Sequence, residues 1–63
     1  MKFYLKEIRT EQLLGVRALA EKSGVAKSYI GAIEKGGANP TIRVLCRLAA
    51  ALEVDVGDLF SCE

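Results

Sequence analysis

The sequence of 63 residues is long enough for one small domain and leaves little chain for a separate catalytic cleft. It contains no histidine, no clustered pair of acids and no nucleophile beside a base, so we expect the protein not to be an enzyme. Hydrophobic residues make up 51% of the chain, which is typical of a folded globule and not of a disordered segment.

The charge is distributed unevenly along the chain, although its net value is only +1. All nine lysines and arginines lie in residues 1–47 together with four acids, so this part has a net charge of +5. Residues 48–63 contain four acids and no base. Such an asymmetry can turn a positive face toward phosphates while the acidic end stays in solvent, so it favours a nucleic-acid partner.

Neither membrane insertion nor a bound metal is predicted. The longest mostly apolar stretch, which begins at Leu48, is too short and too interrupted by acids to span a bilayer, and no apolar export signal stands at the amino-terminal end. We therefore expect a cytoplasmic protein. Cys46 and Cys62 lack the spacing and the histidines of a zinc site, so no metal or other cofactor is predicted, and no small-molecule substrate is evident.

The first helix is predicted over residues 5–12, because Leu5, Ile8 and Leu13 keep helical spacing. Two aromatic residues, Phe3 and Tyr4, precede it. They are compatible with an apolar staple against the helix or with a short extended arm, and the sequence does not choose between these two conformations.

Two further helices follow, joined by a tight turn. The second is predicted over residues 16–23, after a break at Gly15. Gly24 can adopt a positive φ without steric cost, so it is suited to end that helix and to begin the turn into a third helix over residues 27–35. This arrangement indicates either a DNA-binding helix-turn-helix or an ordinary helical hairpin in a small bundle.

One side of the third helix carries only small or cationic side chains. A helical wheel places Ile30 and Ile33 on the inner side, toward the core. The opposite arc could approach a polyanion closely, because its side chains are short or positively charged. It consists of Lys27, Ser28, Gly31, Ala32 and Lys35.

The fourth helix, predicted over residues 42–52, has the most regular amphipathic pattern in the sequence. Glycines and an Asn39-Pro40 pair break the chain before it, and Thr41 is its predicted N-cap. Its inward positions recur at intervals of three and four residues. They are Ile42, Leu45, Leu48, Ala49 and Leu52.

A short last helix is predicted over residues 56–60, with Asp55 as its cap. With the four helices before it, this gives a compact all-α domain that comprises residues 1–63. No internal repeat or second domain is evident in the sequence.

An ordered set of residues between positions 5 and 60 carries a family pattern. It comprises Leu19-Ala20, Ser23-Gly24-Val25, Ser28-Tyr29-Ile30, Ile33-Glu34-Lys35-Gly36, Asn39-Pro40-Thr41-Ile42, Leu45, Leu48-Ala49, Leu52 and Asp58-Leu59-Phe60. Single pieces of this set are weak signals, but the whole set with these spacings is specific. It resembles the Cro and lambda-repressor-like helix-turn-helix family.

The resemblance implies a five-helix lambda-repressor-like domain of a sequence-specific transcriptional regulator, prokaryotic or phage-like, that binds double-stranded DNA as a homodimer. The third helix would lie in the major groove. Its base-contacting positions would be Lys27, Ser28, Gly31 and Ala32. The phosphate-contacting positions would be Val16, Arg17, Lys35, Gly37, Asn39 and Thr41, joined by Tyr29 if its hydroxyl reaches a phosphate from the flank of the helix. The family also implies a structural ion pair between Arg9 and Glu34.

Several residues depart from the family pattern. Many relatives have a glutamine where this chain has Val16, and a valine side chain cannot donate a hydrogen bond to a phosphate. Gly31 stands where serine is frequent, and Ala38 stands where a basic residue is frequent. These departures reduce phosphate anchoring and base reading, so the alternative is a protein-interaction module that keeps the fold but has weak or lost DNA binding.

Overall fold

The computed structural model describes residues 1–62, and Glu63, the last residue of the predicted domain, lies outside them. The described residues form four α-helices, which confirms the all-α helix-turn-helix fold class. The second and fourth helices have the predicted bounds, whereas the first and third each end one residue earlier. The helices are α1 (Leu5–Glu11), α2 (Val16–Ser23), α3 (Lys27–Glu34) and α4 (Ile42–Leu52).

The prediction of a fifth α-helix over residues 56–60 is wrong. The chain makes a single 3-10 turn at Val56–Asp58, and Phe60–Ser61 then form a strand. This strand, β2, pairs antiparallel with β1 (Lys2–Phe3), with Phe3 opposite Phe60. Because the pairing joins the two ends of the described chain, it supplies Phe60 with hydrogen-bond partners that no local pattern predicts.

Of the two alternatives for the aromatic residues before α1, the strand pair matches the short extended arm. Phe3 lies in β1, and Tyr4, with φ −108° and ψ 18°, follows it as the N-cap residue of α1. The ring centroids of Phe3 and Phe60 lie 6.4 Å apart, at an interplanar angle of 57°. The Tyr4 backbone N–H donates to the Leu59 carbonyl at 2.8 Å, and the Tyr4 hydroxyl lies 3.1 Å from Ser61 Oγ. The arm therefore ties the start of α1 to the carboxyl-terminal end of the domain.

Each helix is followed by a residue in the left-handed conformation. Two of these residues are glycines, Gly24 (φ 76°) and Gly36 (φ 79°), which accept a positive φ without a clash of Cβ. The other two are Leu13 (φ 60°) and Glu53 (φ 58°). At the end of α1, the Leu13 N–H donates to Thr10 O at 3.0 Å and the Leu14 N–H to Arg9 O at 2.8 Å, which is a Schellman motif.

The Schellman motif corrects the expected orientation of Leu13. Its helical spacing from Leu5 and Ile8 predicted an inward side chain, but Leu13 lies beyond the end of α1 and is 92% exposed. The turn instead directs Leu14 against the core. A helical period predicts an orientation only while the helix continues, and α1 has already ended at this point.

Helix starts differ in their capping. Gly15 precedes α2 and Ala26 precedes α3. Neither residue makes a side-chain capping hydrogen bond, because neither has a side-chain oxygen. Thr41 caps α4, since its Oγ1 accepts a hydrogen bond from the Val44 N–H at 3.2 Å, as predicted. The start of α3 is therefore held by backbone hydrogen bonds and by packing, without the side-chain oxygen that helix starts prefer.

The hydrophobic core lies where α2 packs against α3 and α4, with the 3-10 turn closing one side. Full burial of one such side chain contributes about 1.5–3 kcal/mol. Ile42, which the periodic pattern placed inward, is 66% exposed, because it is the first residue of α4 and projects beyond the packed layer. The large side chains that are almost fully buried are Leu5, Leu19, Ile30, Ile33, Leu48, Leu52 and Leu59.

Among residues 1–62, no helix is long and apolar enough to cross a bilayer.

Candidate nucleic-acid interface

The turn between α2 and α3 positions α3 on the surface of the domain. Gly24 ends α2 through a hydrogen bond from its N–H to Ala20 O at 2.9 Å. In the next step of the turn, Ser23 Oγ accepts from the Val25 N–H at 3.2 Å, and the Val25 side chain is buried, at 6% exposure. The buried valine anchors the turn, so the direction of α3 relative to α2 is fixed by packing.

Helix α3, which we call the reader helix, divides into an apolar inner side and a nearly bare outer side. Ile30 and Ile33 are 0% and 1% exposed and belong to the core. Lys27 and Ser28 are exposed, as the sequence predicts for base-contacting positions. The other two predicted base-contacting positions, Gly31 and Ala32, are half-buried and present little side chain.

An ion pair holds the reader helix against α1. Arg9 Nε donates to Glu34 Oε2 at 2.7 Å and Arg9 Nη2 donates to Glu34 Oε1 at 3.0 Å, so the contact is bidentate. The two side chains are only 13% and 10% exposed. These hydrogen bonds, with the attraction of the opposite charge, raise the pKa of the Arg9 guanidinium above its ordinary value, against the opposing effect of partial burial. Arg9 therefore stays charged, and its contact with Glu34 links α1 to the end of α3.

An open depression runs along the outer side of the reader helix, and we call it the reader groove. It brings together five of the predicted contact positions, with one additional lysine from α1 and the ion-paired glutamate. Its lining residues are Lys6, Val16, Lys27, Ser28, Gly31, Glu34 and Lys35. Cationic ammonium groups and small side chains share this surface, which suits the close approach of a polyanion.

The remaining predicted contact positions lie outside the reader groove. Arg17, Gly37 and Asn39 are exposed at the start of α2 and between α3 and α4. Ala32 and Tyr29 are half-buried, and Tyr29 packs against the core. Thr41 is exposed, although its oxygen already accepts the capping hydrogen bond. The structure thus gathers five predicted positions in the groove and leaves the others spread around it; the five are Val16, Lys27, Ser28, Gly31 and Lys35.

Lys6 is the residue of this surface that the sequence did not single out. It lines the reader groove although it belongs to α1. Hydrophobic spacing identifies it only as an outward residue of α1. The signal that could have found it is the ion pair implied between Arg9 and Glu34, because Lys6 lies three residues before Arg9, on the same side of α1. In the part of the chain that the structure describes, no three His, Cys, Asp or Glu side chains are grouped so that they could hold a metal ion.

The protein-family model described as helix-turn-helix matches residues 5–59. The chain is similar in structure to the restriction-modification controller protein C.AhdI from Aeromonas hydrophila, with a TM-score of 0.85, 38% identity and coverage of 89% of this chain and 85% of that one. It is equally similar to the N-terminal DNA-binding domain of SinR from Bacillus subtilis, with a TM-score of 0.85, 40% identity and coverage of 94% and 87%.

The match to full-length SinR of Bacillus subtilis, an HTH-type transcriptional regulator, is 43% identical over 56 residues and covers 87% of this chain. The same match covers 50% of SinR, so this chain spans about half the length of that relative. SinR from Bacillus licheniformis shows the same relation, with 41% identity over 58 residues and 52% of its length covered. The family match, the similar folds and the ordered sequence pattern agree, and the chain belongs to the Cro and lambda-repressor-like helix-turn-helix family.

Proposed function

We propose that this protein is a sequence-specific DNA-binding transcriptional regulator whose reader helix lies in the major groove. The observation that carries the proposal is the outer side of α3, where Lys27 and Ser28 are exposed beside the nearly bare positions Gly31 and Ala32. A helix with so little side chain on its outer side can approach base edges closely. The relatives named as transcriptional regulators support the same function.

The chemistry of the reader helix sets how selective the protein is. Lys27 can donate to guanine O6 and N7, Ser28 can bond to either base of a pair, and Ala32 can contact a thymine methyl group. Gly31 contributes only close approach. Since one good bidentate contact discriminates by about 1–3 kcal/mol, a single copy is modestly selective.

Modest selectivity of one copy favours binding as a homodimer to a two-fold symmetric operator. Two copies double the free energy of discrimination if each reads one half-site. A two-fold dimer with reader helices in successive major grooves requires half-sites about one helical turn apart, or about 10 base pairs.

Selection from a pool of random duplexes tests the proposal, because it reports affinity, motif and symmetry together. The expected result is a shared motif that occurs twice in inverted orientation, with centres about 10 base pairs apart. Selection with a Lys27→Ala variant serves as the matched control and is expected to lose one base preference of the motif. Recovery of no shared motif by the unmodified protein contradicts the proposal.

A second candidate is a protein-interaction module on the same fold. It is favoured by the shortage of hydrogen-bonding side chains on the reader helix, where Gly31 and Ala32 offer none, and by Ala38 beyond its end. A salt titration on a nonspecific duplex separates the two. A steep fall of affinity with salt supports DNA binding, and a slope near zero supports the interaction module.

A further inference from the structure

We infer that Lys6 on α1 is a phosphate-contacting residue, so that the DNA-binding surface extends from the reader helix onto α1. This inference rests on the proposed DNA-binding function. It adds a contact outside the helix-turn-helix motif itself and outside the segment between α3 and α4.

The surface beside α3 continues without a break onto α1. Lys6 and Lys35 line the reader groove, and the same two residues line a second depression, which continues past the start of α1 to Lys2. The two depressions are therefore neighbours that meet at Lys6 and Lys35. Its lining residues come from the reader helix and the two residues after it, from α1 and the amino-terminal residues 1–3, and from Val16 at the start of α2.

The charges along this surface are mostly of one sign. Four lysines line it, Lys2, Lys6, Lys27 and Lys35, against two acids, Glu7 and Glu34. The carboxylate of Glu34 is already bound by Arg9, so Glu7 is the one lining acid without that partner. Among residues 1–62, no carboxylate lies within ion-pair distance of these four lysines. The ammonium of Lys2 lies over the ring of Tyr4, 5.5 Å from its centroid. Like charges that line one surface repel each other, and a row of phosphates would relieve that repulsion.

The position of Lys6 indicates a phosphate contact in preference to a base contact. When a helix fills the major groove, the base edges lie beneath it and a sugar-phosphate backbone lies on each side. Lys6 is not on the reader helix but on α1, and it lines the same groove as Lys27 and Lys35. A flexible side chain with a compact charge at this place suits a phosphate oxygen and carries no sequence information.

A salt titration of binding to one nonspecific duplex tests the inference, with Lys6→Ala compared with Lys22→Ala. Lys22 is also an exposed helical lysine, but it lies on α2 and lines neither depression. Both variants remove one positive charge, so the comparison cancels the effect of net charge. Lys6→Arg keeps the charge and is expected to retain the unmodified slope. Thermal unfolding followed by circular dichroism verifies that all variants are folded.

The expected result is that Lys6→Ala reduces the slope of log affinity against log salt by about 0.9, while Lys22→Ala leaves it unchanged. If both alanine variants have the same slope and the unmodified protein still binds, the inference is overturned and the proposed function stands. If the unmodified protein shows no salt-dependent binding, the proposed function and the inference fall together.

Discussion

Arg9 and Glu34 join the first helix to the end of the reader helix through two parallel hydrogen bonds of 2.7 and 3.0 Å. The same guanidinium also donates from Nη1 to the carbonyl of Leu14 at 3.1 Å. One side chain thus connects α1, the turn before α2 and the carboxyl end of α3. Because the outer side of α3 is the proposed reading surface, this contact fixes how that surface is presented.

Replacing Glu34 by glutamine is expected to destabilise the fold. Arg9 would remain charged and largely buried with a weaker partner. Breaking such a pair is expected to lower the free energy of unfolding by about 2–4 kcal/mol. This is near the lower end of the range for buried pairs, because both side chains keep some exposure. Urea denaturation measures the loss, and Glu21→Gln, at an exposed glutamate of α2, is the matched control.

A double replacement, Arg9→Met with Glu34→Leu, separates pairing from packing. Since it leaves no unpaired charge, it is expected to lose less stability than Glu34→Gln alone. Equal stability of Glu34→Gln and Glu21→Gln contradicts the structural role of the pair.

Replacing Leu13 by asparagine is expected to stabilise the protein by about 1 kcal/mol. Leu13 has φ 60° at the end of α1, and the left-handed conformation costs a residue with a bulky side chain about 1–2 kcal/mol, whereas asparagine tolerates it. Leu13→Ala is the control, because it removes the exposed side chain but keeps a Cβ. If the Leu13→Asn and Leu13→Ala variants have equal unfolding midpoints, the gain does not come from backbone conformation.

Adding a cap to the reader helix is expected to stabilise the fold. Ala26→Ser supplies an oxygen that can accept a backbone N–H of the first turn of α3, which contributes about 1 kcal/mol. Gly15→Ser, at the start of α2, is expected to gain only a few tenths of a kcal/mol, because glycine is itself a passable N-cap. Thr41→Ala, which removes an existing cap, should lose about 1 kcal/mol. Thermal unfolding of the three variants measures the order of these stability changes. A stability gain in Gly15→Ser as large as that in Ala26→Ser would contradict the predicted order.

The sequence predicts the elements whose signal is local. The bounds of α2 and α4 follow from hydrophobic spacing, the glycine at position 24 and the cap at Thr41. The pairing of Phe3 with Phe60 joins residues that are far apart in the chain, so no local pattern predicts it, and a short helix was expected at Phe60 instead. The burial of Leu14 in place of Leu13 depends on the residue at which α1 ends, which periodicity fixes only to within a residue or two.

In the candidate site, too, features with a local signal follow from the sequence, and features that depend on long-range packing do not. Exposure of Lys27 and Ser28 follows from the helical wheel of α3 alone. The presence of Lys6 beside them depends on the angle at which α1 packs against α3, which is a property of the folded chain. The DNA-contacting roles of these positions, inside the reader groove and outside it, stay predictions.

Recognition of bases by the reader helix through Lys27 is tested most directly by comparing three proteins on the selected operator and on each of its single-base-pair variants. The unmodified protein, Lys27→Ala and Lys35→Ala are titrated under one salt condition. We expect Lys27→Ala to lose the preference at one base pair, worth about 1–3 kcal/mol. Lys35→Ala should weaken binding to every duplex about equally and keep all preferences. A Lys27→Ala variant that keeps both its affinity and every base preference contradicts this role of the reader helix.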